Sequence, residues 1–171
     1  MFSKQDIEKY FLAEKQLSLA IIVTGSIAIA LALIFLLALK TSFFKGTALP
    51  LLVIGLLQLA AGIAVYKTAD KDRIRNVYAL DMNPSQLKNE EVPRMQQVLK
   101  KFAIIKWVEA ALVVTGLLLI YYNRANVNQA FWYGLGITLT IQVVIMLFAD
   151  YSAEKRAQQY TKGLESRVKQ D

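Results

Sequence analysis

Residues 17–39 read LSLAIIVTGSIAIALALIFLLAL, and none of these 23 side chains is charged. A helix of about 20 apolar residues crosses the hydrocarbon core of a bilayer. A second uncharged stretch covers residues 46–66, within which we place a span over 47–66. Helices satisfy their own backbone hydrogen bonds in lipid, so both stretches are predicted to be transmembrane helices.

Two further spans are predicted in the second half of the chain. Residues 125–149 carry no charge, and the span is placed over 129–149. Residues 102–122 have the right length, although Lys106 and Glu109 interrupt their first turns. The predicted fold class is therefore all-α, an integral membrane four-helix bundle with helical cytoplasmic extensions that include a C-terminal helix.

The composition excludes several classes of protein. The 171 residues are 56% hydrophobic and 19% charged, with a mean hydropathy of +0.38, whereas soluble domains are roughly 45–50% apolar and about 25% charged. The chain has neither cysteine nor histidine, which removes thiolate chemistry, Cys or His metal ligation and histidine-based catalysis. We expect no catalytic residues, no metal site and no cofactor, and we do not expect an enzyme.

Lysine and arginine predict the orientation. Of the 20 such residues, 16 lie before the first span, between the second and third, or after the fourth. Positive residues concentrate on the cytoplasmic side, so both termini are predicted to be cytoplasmic, in a multi-pass protein of a bacterial inner membrane. The net charge of +7 predicts contact with anionic lipid headgroups and no nucleic-acid partner. The side chains expected at the headgroups are Lys15, Lys100, Lys101, Lys155, Arg156 and Trp107.

The two halves of the chain resemble each other. Residues 5–29 match 96–120 at nine positions, including Val-Thr-Gly at 23–25 and at 114–116. The second spans align at a different shift, which places Gln58 on Gln142. This self-similarity predicts two duplicated helical hairpins, residues 1–82 and 83–171. The alternative is that lysine-flanked apolar helices resemble each other through composition alone.

Glu109 is the main candidate for a functional site, because a carboxylate within a span is rare and faces the bundle interior, water or a cation. Lys106 lies three residues earlier, within pairing reach on the same helix. One interpretation is an ion or proton site that Lys106 tunes. The other is a local pair in which Lys106 extends to the headgroups. Asp150 ends the fourth span, where a carboxylate is expected to meet water.

Gln58 and Gln142 complete the candidate intramembrane polar site. A buried amide in lipid is expected to find a hydrogen-bond partner on another helix. Coordination of a polar substrate is the alternative.

The first function hypothesis is a non-catalytic membrane protein that acts through oligomer assembly or partner binding, in a regulatory, scaffolding or protective role. Its partner would be a second copy of the chain or another membrane protein. The alternative is a small oligomeric ion channel or transporter that uses the Glu109–Lys106 pair. A membrane enzyme is the least supported class, because no catalytic residues cluster in the sequence.

Overall fold

The computed structural model describes residues 2–169; Met1, Gln170 and Asp171, at the outer ends of the two predicted hairpins, lie outside the described residues. The described part is 95% helical and contains no strand. Four of its helices are long and apolar enough to cross a membrane. The all-helical prediction is confirmed.

The helices follow one another with short connections. Their bounds are α1 Lys4–Ile34, α2 Ser42–Met82, α3 Pro84–Gln86, α4 Val92–Asn123 and α5 Ala130–Val168. Two π-helical turns, Phe35–Leu39 and Leu87–Glu91, extend α1 and precede α4, and a 3₁₀ turn, Val127–Gln129, precedes α5. Each predicted span lies within a helical segment, and α2 and α5 continue well past the ends of their apolar segments.

Local interactions set two of the helix boundaries. At the start of α1, the Asp6 carboxylate accepts hydrogen bonds of 2.8 Å from the backbone N–H and the hydroxyl of Ser3, as in a capping box. Between α1 and α2, Lys40 adopts a left-handed conformation with φ 54°. Its N–H donates to the Phe35 carbonyl at 3.1 Å, which ends the helix.

Glycines bring the two helices of each hairpin close together. A Cβ atom on Gly55 of α2 would lie 3.0 Å from the Gly25 carbonyl oxygen of α1. A Cβ atom on Gly136 of α5 would lie 2.8 Å from the Gly116 carbonyl oxygen of α4. Small residues at such crossings let helix backbones approach, so α1 packs along α2 and α4 packs along α5.

The two hairpins meet mainly through α2 and α5. A Cβ atom on Gly46 of α2 would fall 1.9 Å from the Phe131 carbonyl oxygen of α5. On the other side of this contact, a Cβ atom on Gly134 would fall 2.4 Å from the Phe43 carbonyl oxygen. Both obstructions are backbone atoms, so a side chain at either position would force the hairpins apart.

We predict that Gly46→Ala destabilises the protein by about 1–3 kcal/mol, because the added methyl group overpacks a rigid contact. The measurement is the thermal unfolding midpoint in detergent micelles. Gly163→Ala is the matched control, since the nearest atoms there belong to the Phe2 side chain, which can move. Equal midpoints for the Gly46→Ala variant and the unmodified protein would contradict the packing described here.

The apolar segments present their side chains outward. In the most apolar 18-residue windows of the four long helical segments, between 11% and 28% of residues are buried. Leu57 and Phe148 are 64% and 72% exposed. Monomeric soluble proteins rarely expose so many apolar side chains together, whereas lipid accommodates them.

The most tightly packed side chains lie at the end of the molecule that carries the start of α1, the end of α5 and α3. We call this part the base. The helix extensions pack together there around a buried apolar core. The buried members of that core are Ile7, Tyr10, Phe11, Ala79, Leu87, Met95, Ala157, Tyr160 and Leu164.

A buried carboxylate joins the helices of the base. Glu91 is 1% exposed, and its oxygens accept hydrogen bonds from Arg94 Nε and Nη2 at 2.8 and 2.6 Å. The Tyr160 hydroxyl of α5 donates to Glu91 at 3.2 Å, and Arg75 of α2 lies 3.6 Å away. The Tyr160 ring stacks on Tyr10 of α1 with centroids 4.2 Å apart. Groups on all four long helices therefore meet around one carboxylate.

Burial also controls the protonation of this network. Burial raises the pKa of the Tyr10 and Tyr160 phenols, which lie outside the apolar segments. Tyr160 therefore keeps the proton that it donates to Glu91.

We predict that Glu91→Ala lowers the free energy of unfolding by about 3–5 kcal/mol, because it leaves the Arg94 guanidinium half-buried without its carboxylate. Unfolding in micelles, followed by circular dichroism, measures the change. Glu90→Ala is the control, since Glu90 is the preceding carboxylate in the chain and is exposed. Similar losses for the two variants would show that the network does not hold the base together.

Candidate functional site

Glu109 lies on α4, in the half of its apolar segment nearer the base, and is 4% exposed. No N–H or hydroxyl donor of the described residues hydrogen-bonds its carboxylate oxygens, which lie beside the carboxyl group of Asp150. A buried charge without a partner is costly, so Glu109 differs from Glu91, whose oxygens are fully used. Of the three surroundings expected for Glu109, namely the bundle interior, water or a cation, its burial agrees with the first.

Lys106 does not pair with Glu109. Its ammonium group lies 2.6 Å from the carboxylate of Glu154 on α5, so the predicted pair within one helix is wrong. The flexible stem of Lys106 extends towards the base, where the continuation of α5 supplies Glu154. Glu109, one turn farther into the apolar segment, lies beside Asp150 of α5 instead.

These four charged residues line one side cavity between α4 and α5, which we call the lateral cavity. Its volume is about 360 Å³, within the range of small-molecule sites. The rest of its wall is apolar and aromatic: Phe102, Val144, Leu147, Phe148 and Tyr151. The sequence did not single out Glu154. Asp150, which is expected to meet water, is half-buried and lines this cavity.

Asp150 also lines a second cavity, of about 340 Å³, which lies between the two hairpins. Charged side chains from the other three long helices reach this central cavity: Glu14 from α1, Asp72 from α2 and Arg94 from α4. Asp150 thus borders both cavities. Of the groups lining the central cavity, only Arg94 carries a positive charge, and it already binds Glu91.

Gln58 and Gln142 do not line either cavity. Gln142 is 9% exposed, and neither its amide nitrogen nor its amide oxygen has a hydrogen-bond partner. The expected interhelical hydrogen bond is therefore missing for Gln142. Gln58 is half-buried, and its Cβ atom packs against the backbone of Gly25.

The residues expected at the headgroups fall into three groups. Lys15 forms an ion pair with Asp70 and lies 5.0 Å from the centre of the Tyr66 ring, so its charge is already paired within the protein. Arg156 turns inward, with two buried guanidinium nitrogens that lack hydrogen-bond partners, which contradicts a headgroup position for these atoms. The exposed members, for which headgroup contact stays a prediction, are Lys100, Lys101, Lys155 and Trp107.

Among residues 2–169, no group of three or more carboxylates could hold a metal ion. Comparisons with protein-family models, with curated proteins and with solved structures gave no match. The function is therefore argued from the geometry of this chain.

One signal in the sequence could have located Glu154. The alignment of the two halves places Lys15 on Lys106 and Asp70 on Glu154. The structure contains both ion pairs, Lys15–Asp70 and Lys106–Glu154. A basic residue and an acidic residue at matching positions in both halves would have favoured pairing between helices over pairing within one helix.

Proposed function

We propose that this chain is a non-catalytic multi-pass membrane protein that acts through oligomer assembly or partner binding. In this proposal the four apolar segments cross the bilayer as a helix bundle, and the base with both termini lies in the cytoplasm. Sixteen of the 20 lysines and arginines lie on the base side of the predicted spans, which favours that orientation. The outward-facing apolar side chains support the placement in lipid.

The observation that carries the proposal is an exposed apolar stripe on α2. Ile74, Tyr78 and Met82 are 63%, 64% and 70% exposed, and their spacing of four residues places them on one helix face. The apolar segment of α2 ends at Tyr66, so a rise of about 1.5 Å per residue puts Ile74 about 12 Å and Met82 about 24 Å beyond it. The headgroup region extends only about 5–8 Å on each side.

The surroundings of the stripe are typical of a protein interface. Lys4 and Asp81 form an ion pair at its edge, and Glu8 and Arg73 border the same shallow cavity. An apolar centre with a charged rim is the usual anatomy of a protein–protein contact. We therefore assign the α2 stripe as the surface through which the chain binds a second copy of itself or another protein.

The duplication of the hairpin belongs to the same proposal. Two observations support it: the matching ion pairs Lys15–Asp70 and Lys106–Glu154, and the matching contacts Gly25–Gly55 and Gly116–Gly136. The acidic residues are 84 positions apart, whereas Gly55 and Gly136 are 81 positions apart. The alignment of α2 with α5 therefore differs by three residues, about one helical turn, between the ion pairs and the glycine contacts.

The test is photocrosslinking in the cells that produce the protein. A benzophenone amino acid replaces Tyr78, and the control places it at Gln97, an exposed residue of α4. We expect Tyr78 to yield a discrete protein adduct, either near twice the 19.2 kDa mass of the chain or with one other protein. The control is expected to yield much less.

Absence of a protein adduct at Tyr78, with the chain inserted and folded, would contradict the proposal. Equal adducts at Tyr78 and Gln97 would also contradict it, because the contact would then be unspecific. A double substitution, Ile74→Ser with Met82→Ser, is expected to abolish the adduct while leaving the unfolding midpoint unchanged, since both side chains are exposed.

One observation favours the second candidate function, an oligomeric channel or transporter. Glu109 is buried in an apolar segment without a partner, as is typical of groups on ion and proton pathways. Transporter sites, in contrast, typically use broken helices. Here the helices run unbroken through their apolar segments, apart from the π turn Phe35–Leu39 at the end of the first segment. This contrast is why we rank transport second.

Flux measurements in proteoliposomes test the second candidate. If the chain conducts ions or protons through Glu109, flux will exceed that of empty liposomes and Glu109→Gln will abolish it. Flux no greater than that of empty liposomes, from protein shown to be inserted, would eliminate this candidate. Flux that Glu109→Gln leaves unchanged would place the path elsewhere.

A further inference from the structure

The lateral cavity between α4 and α5 carries an unbalanced charge. Its ionisable groups are the carboxylates of Glu109, Asp150 and Glu154 and the ammonium group of Lys106. Lys106 is paired with Glu154 at 2.6 Å, so no cation among residues 2–169 that lines the cavity neutralises the other two carboxylates. Glu109 is 96% buried, since its exposure is 4%. No N–H or hydroxyl donor of the described residues hydrogen-bonds its oxygens, and the carboxyl group of Asp150 lies beside it. This arrangement is suited to a cation that comes from outside the chain.

The cavity wall indicates which kind of cation fits. Calcium and magnesium require about six oxygen ligands, whereas Glu109 and Asp150 together supply four carboxylate oxygens, because Glu154 is paired with Lys106. Three aromatic rings line the cavity, those of Phe102, Phe148 and Tyr151. An organic ammonium group is attracted by aromatic faces as well as by carboxylates, and its carbon substituents can pack against the apolar wall.

The position of the cavity indicates how such a cation would arrive. Phe148 and Tyr151 are 72% and 63% exposed, so the cavity opens sideways on the outer surface of the α4–α5 pair. Asp150 directly follows the apolar segment of α5, which ends at position 149. In a bilayer, the charged group of an amphiphile lies at that level while its apolar part extends into the leaflet.

We propose that the lateral cavity binds the ammonium group of an amphiphile, with Glu109 and Asp150 as counter-ions and the aromatic wall around its substituents. The amphiphile is either a lipid with an ammonium headgroup or a free lipophilic ammonium ion. This inference does not depend on assembly through the α2 stripe, because binding at the cavity requires neither a second protein nor transport.

The test uses benzyldimethylhexylammonium as the probe and the full chain in uncharged maltoside micelles, with binding measured by calorimetry. We expect one site per chain on the unmodified protein. Glu109→Gln is expected to weaken binding by at least about tenfold, the equivalent of 1.4 kcal/mol. Glu90→Gln, which removes an exposed carboxylate outside the cavity, is expected to leave the affinity unchanged.

Two controls separate a specific site from unspecific partitioning. The first is an uncharged isostere of the probe with a carbon atom in place of nitrogen, which is expected to bind the unmodified protein and Glu109→Gln equally weakly. The second is Asp150→Asn, which reports on the same site if Glu109→Gln does not fold. Equal affinity of the probe for the unmodified protein and for a folded Glu109→Gln or Asp150→Asn variant would overturn the proposal. Equal affinity for the probe and its isostere would overturn it as well.

A last comparison identifies the source of the ammonium group. Phosphatidylethanolamine or phosphatidylglycerol is added to the micelles before the probe. Competition by phosphatidylethanolamine alone supports a lipid headgroup as the occupant, and the same lipid should then remain bound in native mass spectra. Competition by neither lipid supports a free lipophilic cation. Equal competition by both lipids would contradict recognition of the ammonium group.

Discussion

The rest of the structure depends on the burial of Glu91. A carboxylate that is 1% exposed is tolerated only when charged and hydrogen-bonding groups surround it. Arg94 meets this requirement from α4, Arg75 from α2 and Tyr160 from α5. The stacking of Tyr10 on Tyr160 adds α1 to the same cluster. One carboxylate therefore fixes how four helices are positioned at the base, and with them the segments that continue into the apolar part.

Glu91 and Glu109 show two different outcomes of burying a carboxylate. Near Glu91, long arginine side chains have room to reach the charge from α2 and from α4 itself. Near Glu109, the nearest lysine is Lys106, and Glu154 has already engaged it. Glu91 consequently holds helices together, whereas Glu109 lines a cavity in which the described residues offer it no positively charged partner.

Local features of the sequence were sufficient to predict the helices. An uncharged run such as 17–39 has one stable arrangement in lipid, and the Ser3–Asp6 cap involves neighbours only three residues apart. The partner of Lys106 was not predictable in this way. From the spacing along α4 alone, Glu109 is the expected partner of Lys106. The partner is Glu154 instead, because the rotation of α5 relative to α4 brings Glu154 to Lys106. The same rotation turns Asp150 towards α4, and an apolar run of sequence carries no information about how its helix is rotated.

The position of Tyr160 has a consequence for the synthesis of the chain. The core of the base draws on residues from Ile7 near the start to Leu164 near the end, so its apolar side chains stay uncovered until most of the chain has left the ribosome. The first hairpin can pack through Gly25 and Gly55 long before that moment. Packing of the first hairpin and closure of the base are thus separate events in time. A chain interrupted before α5 would expose Phe11 and Tyr10 to the chaperones and proteases that recognise apolar surface.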